Sequence, residues 1–532
     1  MKYFILQVLF LFASNCLVAQ STPKAFVEWG PKKAFNNKLE EKFIKTDGEY
    51  TYVFWYTAQG FQLQKLDRKM KVVQKSRFNA SHRGNRTSLN YSVLYGGKIH
   101  VFSSFYNRKT HRNHLFHQAI DPSSFKETVP LQLIGSIITK RESLWITTEE
   151  FADDDITGYF QFRLSPDRNK LLILFANPYS KTGSESFTYQ VYNRNFEKEW
   201  EKKVALPYLD KNFKIEGFRV DNQGNVHLIG WERVYDEFNK RKKGVSLLRF
   251  FSWFPNTAFS TNHIIELSNI KQIESMIYLM DENDKLICAG FFKYPNLKGV
   301  RGSFYLRIDP ATGDVIEKSV DSFDSEIFKK PLTKFQKERD DQGELDYGDW
   351  FDYELDELVI REDGRILLVG EKRDYYQDYE VMTDGMLTME YDNYQYDDIL
   401  LVSLSPSGKL EWSTRVPKSQ YSIDDNGMRS SYHLKVTKDH LYLFFYDEDK
   451  NFNRSSEDLV GKSAYESLAV VQVNDSGHFE KHKLISKSDI QLKLIPKYFW
   501  DRNEKEVLLY GYRRPYLIFR RSRYQFSRLV FY

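Results

Sequence analysis

A short unit recurs eight times along this chain: a polar turn rich in Asp, Asn and Gly, followed at once by a strand-length apolar run. The first four copies open at Asp47-Gly48-Glu49, Gly96-Gly97-Lys98, Asp167-Arg168-Asn169-Lys170 and Asn222-Gln223-Gly224-Asn225. The others open at Glu282-Asn283-Asp284-Lys285, Glu362-Asp363-Gly364-Arg365, Lys438-Asp439-His440 and Arg502-Asn503-Glu504-Lys505. Asp, Asn and Gly tolerate the dihedrals of tight hairpin turns, so each copy predicts a corner leading into a strand. Four of the runs end in glycine, at Gly230, Gly290, Gly370 and Gly511, as suits a place where two backbones approach closely. A second turn follows most copies, such as Asp309-Pro310-Ala311-Thr312-Gly313, Ser405-Pro406-Ser407-Gly408 or Asn474-Asp475-Ser476-Gly477. Each repeat is therefore about four antiparallel strands, and the run after the first turn, apolar on both sides, reads as the innermost strand.

Forty-one phenylalanines and 35 tyrosines agree with this, since aromatic side chains favour a pleated, half-buried surface. Repeated four-stranded units predict an all-β chain folded as an eight-bladed β-propeller. Seven blades is the runner-up, and two consecutive β-sandwiches a minor alternative. The last repeat, over 492–532, stops after its third strand, while Ala25-Phe26-Val27-Glu28-Trp29 precedes the first repeat unpaired. Pairing the two would complete the last blade, close the ring and remove two exposed strand edges. The repeat resembles that of generic secreted propellers built on Asp-Gly, an apolar strand, Gly, then Asp-Pro-Ser-Gly, over most of residues 25–532. It lacks the Trp-Asp signature of the WD40 family, the kelch double glycine and the sialidase Asp-box, so the resemblance implies a fold and no function.

Upstream, Met1 and Lys2 precede a nearly unbroken apolar run from Tyr3 to Phe12, then small and polar residues. That order predicts a secretory signal over residues 1–19, cut after Ala19, and export to the periplasm, the medium or the outer surface. The run is shorter than the roughly 20 apolar residues a membrane-spanning helix needs. The rival reading, a lipid anchor on Cys16, is disfavoured by Asn15 before it. Once the signal is removed only Cys288 remains, in the apolar strand Leu286-Ile287-Cys288-Ala289-Gly290, where it reads as a buried, inert thiol.

Turns between the first and second and the third and fourth strands are short. Long segments fall between second and third strands (104–114, 177–186, 231–244, 291–302, 371–396, 446–465) and between blades (80–88, 135–157, 321–353). In a propeller both sets emerge on one face, which makes that face the expected binding surface. Residues 321–400 carry 24 acidic and nine basic side chains, while the whole chain is +4, so acidic insertions at 321–353 and 371–396 face a basic remainder. A short charged helix is expected near 328–340. The 371–396 segment holds Tyr375, Tyr376, Tyr379, Tyr391, Tyr394 and Tyr396 among acidic residues, a rigid aromatic surface suited to a protein or glycan.

Asp447, Asp449, Asn451, Asn453 and Asp458 place oxygen ligands at alternating positions and form a candidate calcium loop. Phe452 stands where an EF-hand has its turn glycine, and no helices flank the loop. His111, His114 and His117, with His100 nearby, sit beside Arg108, Lys109 and Arg112 and read as an exposed basic loop rather than a metal site. The clusters Lys240-Arg241-Lys242-Lys243 and Arg513, Arg514, Arg520, Arg521 and Arg523 read as solvated rims, and export argues against nucleic acid. The sequence therefore predicts an exported binding protein, monomeric or part of an envelope assembly, that recognises a protein or carbohydrate through its long-loop face. A polysaccharide-acting hydrolase or lyase is the alternative, to be told by carboxylates converging at the axial mouth of that face.

Overall fold

The computed structural model describes residues 25–35, 41–46, 48–57, 60–79, 81–139, 158–234, 245–257, 259–267, 271–295, 299–324, 352–381, 388–453, 466–513 and 522–532. The signal segment with Cys16, the 328–340 segment, the Lys240–Lys243 cluster, Arg514, Arg520, Arg521 and Asp458 lie outside these residues. Among the described residues, no helix is long and apolar enough to cross a membrane.

Among the described residues, eight antiparallel sheets of four or five strands follow one another along the chain, with a two-stranded ribbon, Ser81–His82 and Asn85–Arg86, between the first and second. Blade three shows the pattern: Tyr159–Leu164, Lys170–Ala176, Ser184–Asn193 and Lys198–Leu209, each strand bonded to the next. First strands of neighbouring blades touch one another in four of the joints, which places them at the axis, while fourth strands such as Lys198–Leu209 alternate between exposed and half-buried residues at the rim. The apolar run after each turn is thus the second strand rather than the innermost one. It is almost wholly buried, as in Leu286–Lys293, because it is flanked by strands within its blade and by neighbouring blades on both faces.

The predicted turns form where expected. Asp221 Oδ1 accepts the Asn225 N–H at 2.8 Å, and Gly224 takes the left-handed conformation with φ +88°. Gly230, Gly290 and Gly370 lie within their second strands, next to a bulge. The first strand carries a β-bulge opposite Gly230 and Gly370, between Ile215 and Gly217 and between Leu355 and Glu357, and one residue beyond Gly290, between Ile273 and Ser275. The bulge pushes the first strand's backbone toward its partner. A Cβ at position 290 would stand 2.1 Å from the Ser275 carbonyl oxygen, so only glycine fits.

Ring closure rests on two independent observations. Ala25–Trp29 pairs antiparallel with Ser522–Phe531, in register from Ala25 opposite Phe531 to Trp29 opposite Ser527. It becomes the fourth strand of blade eight, beside Trp500–Asn503 and Glu506–Arg513. Second, eight apolar cores separate the sheets, one at each joint. The core joining the ends packs Val53, Trp55, Leu66 and Met70 of blade one against Leu508, Tyr510, Tyr524 and Phe526 of blade eight. Eight sheets with eight joints form a closed ring, an eight-bladed β-propeller. Closure brings second-to-third-strand connections from all blades onto one face.

Candidate functional site

The 371–396 segment, read from sequence as a loop, is mostly strand. The second and third strands of blade six, Ile366–Val381 and Thr388–Leu404, run on past the blade as a hairpin arm. Their pairing continues from Arg373 opposite Tyr396 out to Val381 opposite Thr388. A third strand, Gln420–Ile423, pairs with Asn393–Tyr396 and widens the base. Tyrosine favours strands, and a hairpin exposed on both faces needs no apolar alternation, so its sequence resembles a polar loop. The 104–114 segment is likewise mostly strand, within Lys98–Asn107 and Arg112–Ile120.

Directly opposed residues share a face of an antiparallel pair. One face of the arm therefore carries Tyr375 and Tyr394, in contact at 5.1 Å between ring centroids, together with Tyr379 and Tyr396. Tyr376 and Tyr391 are on the other face, with Asp374 and Asp378. Tyr375 and Tyr379 are exposed, by 53% and 62%. The Tyr375 hydroxyl donates to Asp392 Oδ1 at 2.7 Å, which pushes that phenol up to about 12. Tyr396 differs from the other five. Its ring lies under Lys497 (4.2 Å), Arg373 (5.4 Å) and Lys418 (6.0 Å), and Lys497 Nζ donates to its hydroxyl at 3.0 Å. These contacts hold it at the base of the arm.

That anchor continues into a buried charge network. Glu371 Oε1 pairs with Lys418 Nζ at 2.8 Å, and both side chains are 0% exposed. Glu371 Oε2 accepts from Arg373 Nε at 2.9 Å and Ser431 Oγ at 2.7 Å. Lys418 Nζ also donates to the Tyr396 carbonyl at 2.8 Å, and Arg373 reaches Asp356 at 2.6 Å. The charges at the base of the arm are compensated by one another, with Asp356 of the first strand and Lys418 of the segment before Gln420–Ile423 among them, which fixes the direction in which the arm leaves the blade.

Beside this base, at the axis, the bulge residue Asp356 and its neighbour Glu357 belong to the first strand of blade six. Burial, only partly offset by Arg373, raises Asp356 to about 6. Burial, with Asp356 and Asp501 nearby, raises Glu357 to about 7. A carboxyl raised on folding holds its proton more tightly in the folded chain. Its contribution to stability is therefore favourable in acid and declines as pH rises from about 4.5 to about 7. Glu357→Gln removes this cost, so urea unfolding should show the variant more stable than the parent by about 2 kcal/mol at pH 8 and nearly equal to it at pH 4.

The candidate calcium loop is occupied by cations of the chain itself. Asp447 is buried and pairs with Lys481 at 2.8 Å, while its other oxygen accepts Asn451 Nδ2 at 2.6 Å. Asp449 pairs with Lys483 at 2.8 Å and accepts from Ser467 Oγ at 2.6 Å. These lysines come from the blade's fourth strand, Phe479–Ile485, some thirty residues on, and take the place calcium was expected to fill. Among the described residues, no group of three or more His, Cys, Asp or Glu is placed to hold a metal ion. The histidine cluster is also corrected. His117 and His100 are buried, stacked at 5.1 Å and bonded at 2.9 Å through Nε2 and Nδ1, and burial lowers them to about 3 and about 4, so both are neutral. Cys288 is fully buried, with its thiol pushed up by burial.

One arrangement has no sequence signal. Ser252 Oγ, His227 Nδ1 and Nε2, and Asp221 Oδ2 form a chain at 2.9 and 3.1 Å. The order matches a nucleophilic triad, but all three residues are at most 1% exposed, and Asp221 also holds Asn225. No substrate can reach Ser252, so the chain secures the Asp221–Asn225 turn.

No family model matches the sequence, and no curated protein does. Among solved structures, the chain is similar to a prolyl endopeptidase at 10% identity and TM-score 0.40, covering 90% of this chain and 55% of that one. It is similar to Porphyromonas gingivalis dipeptidyl peptidase 4 at 10% identity and TM-score 0.42, covering 90% and 56%. It is also similar to the β-propeller domain of the Trilobed protease from Pyrococcus furiosus at 8% identity and TM-score 0.36, covering 86% and 98%. The chain spans about half the length of the first two.

Proposed function

We propose that this protein is an exported binding module that recognises a protein or carbohydrate partner through its long-loop face, with the blade-six arm as the principal contact. The observation that carries this reading is the arm itself. It is a three-stranded projection, held at its base by compensated buried charges, that offers Tyr375 and Tyr379 to solvent among acidic side chains. Two rigid aromatic side chains on a fixed element lose little entropy on binding. The acidic setting favours a partner with a basic surface. The double variant Tyr375→Ala, Tyr379→Ala changes exposed positions only and should fold like the parent, within about 0.5 kcal/mol. In pull-downs and titrations with envelope extract, its partner should bind at least about tenfold more weakly, as expected for aromatic anchors. Unchanged affinity would remove the arm from the interface.

A polysaccharide hydrolase is the second reading, favoured by the raised carboxyls Asp356 and Glu357 at the axis, which are poised to hold protons near neutral pH. Loss of polysaccharide turnover in Glu357→Gln, with binding through the arm intact, would favour it.

A further inference from the structure

A cleft of about 490 Å³ opens on the loop face between blades three and four, a size within the range of small-ligand sites. Tyr159, Tyr179, Phe213 and Trp231 line it. Glu185, 9% exposed, begins the third strand of blade three, and Asp210 follows that blade's fourth strand; both also line the cleft. Asp210 is fixed in place: its Oδ2 accepts the Ser180 N–H at 2.6 Å, and its own N–H donates to the Gly183 carbonyl at 3.0 Å. Burial, together with the neighbouring Asp210 carboxyl, holds the Glu185 carboxyl well above the usual carboxylate range. The pair therefore shares a proton at neutral pH and presents both a donor and acceptors.

We propose that this cleft is a saccharide-binding site for a neutral sugar unit, with its aromatic walls packing against the sugar's C–H faces and the Glu185–Asp210 pair bonding its hydroxyls. A sugar hydroxyl both donates and accepts, which matches a carboxyl–carboxylate pair. Lys211, Lys214 and Arg233 also border the cleft and oppose a cationic ligand. The site involves no residue of the blade-six arm, and its failure leaves the arm reading untouched.

The test uses the full mature chain, titrated by calorimetry and saturation-transfer NMR with neutral gluco-, galacto-, manno- and xylo-oligosaccharides, and with polygalacturonate as an acidic control. At least one neutral series should bind. Trp231→Ala and Asp210→Ala should each weaken it by about tenfold or more. Glu185→Leu, which removes the hydrogen-bonding oxygens at that position, should weaken it likewise. The proposal fails if no neutral series binds the folded parent, if binding persists in both alanine variants, or if only polygalacturonate binds. Circular dichroism of each variant controls for folding, and should Asp210→Ala not fold, Trp231→Ala and Asp210→Asn take its place under the same criteria.

Discussion

A chain beginning at residue 36 is expected to lose about 5 kcal/mol or more of stability and to aggregate, because it lacks the strand that closes the ring. A loss of that size is comparable with the entire stability of many domains. Three losses add up in this deletion. The backbone ladder between Ala25–Trp29 and Ser522–Phe531 disappears, as does that between Lys33–Phe35 and Ser522–Tyr524. Ala25, Val27 and Trp29, half-buried against the core between blades seven and eight, no longer cover it, at a part of the about 3–5 kcal/mol that truncating a fully buried large side chain costs. Arg528 loses Glu28, 2.8 Å away. The newly bare edge of the Ser522–Phe531 strand then becomes a template for pairing with other chains. Urea unfolding and size-exclusion chromatography measure both effects. Val27→Asp, which keeps the strand but buries a charge, should show the same loss in milder form. A chain of independent sandwiches would tolerate either change with little cost.

Lys418→Met is the second large effect. Taking one partner from a buried ion pair leaves an uncompensated charge and costs about 3–5 kcal/mol. Glu371, 0% exposed, would be left with Arg373 and Ser431 alone. The Tyr396 carbonyl and Gln420 Oε1 would each lose a donor as well. The double variant Glu371→Leu, Lys418→Met removes both charges and should recover a large part of the loss, since apolar pairs of similar volume replace buried ion pairs at little cost. In hydrogen exchange, the arm strands should lose protection in the single variant before the rest of blade six does. Equal stability of parent and Lys418→Met would mean that the network does not hold the arm.

The propeller was legible because its signals are local. Turn chemistry at Asn222–Asn225 and Glu362–Arg365 and two-sided apolar runs such as Leu286–Gly290 specify corner and strand without reference to the rest of the chain. The spare strand at 25–29 and the three-stranded last repeat were legible for the same reason. The arm was only half legible. Its tyrosines mark a special segment, but a hairpin in solvent carries no burial pattern that would separate strand from loop. What depends on partners distant in sequence was not legible. Lys418 stands in a polar stretch that looks exposed, and its partner Glu371 is 47 positions away by numbering. The Asp447–Asn453 segment has oxygen ligands spaced as for calcium, while the lysines that neutralise them arrive on another strand. Glu185 and Asp210, like Ser252 and His227, meet only because blades bring separate strands together.

Cysteines placed at Phe26 and Val530 test the closed ring most directly. These residues stand opposite one another in the register of the closing pair, and opposed residues of an antiparallel ladder have Cα atoms about 4.5–5.5 Å apart, within disulfide range. Cys288 is buried and takes no part. Mild oxidation of the double variant, expressed from residue 20 so that Cys16 is absent, should convert nearly every monomer into an intramolecularly linked circle, seen as faster migration on a non-reducing gel, and should stabilise it by about 2–4 kcal/mol. Thiols that stay free, or that link only one chain to another, would contradict a ring closed by its own two ends.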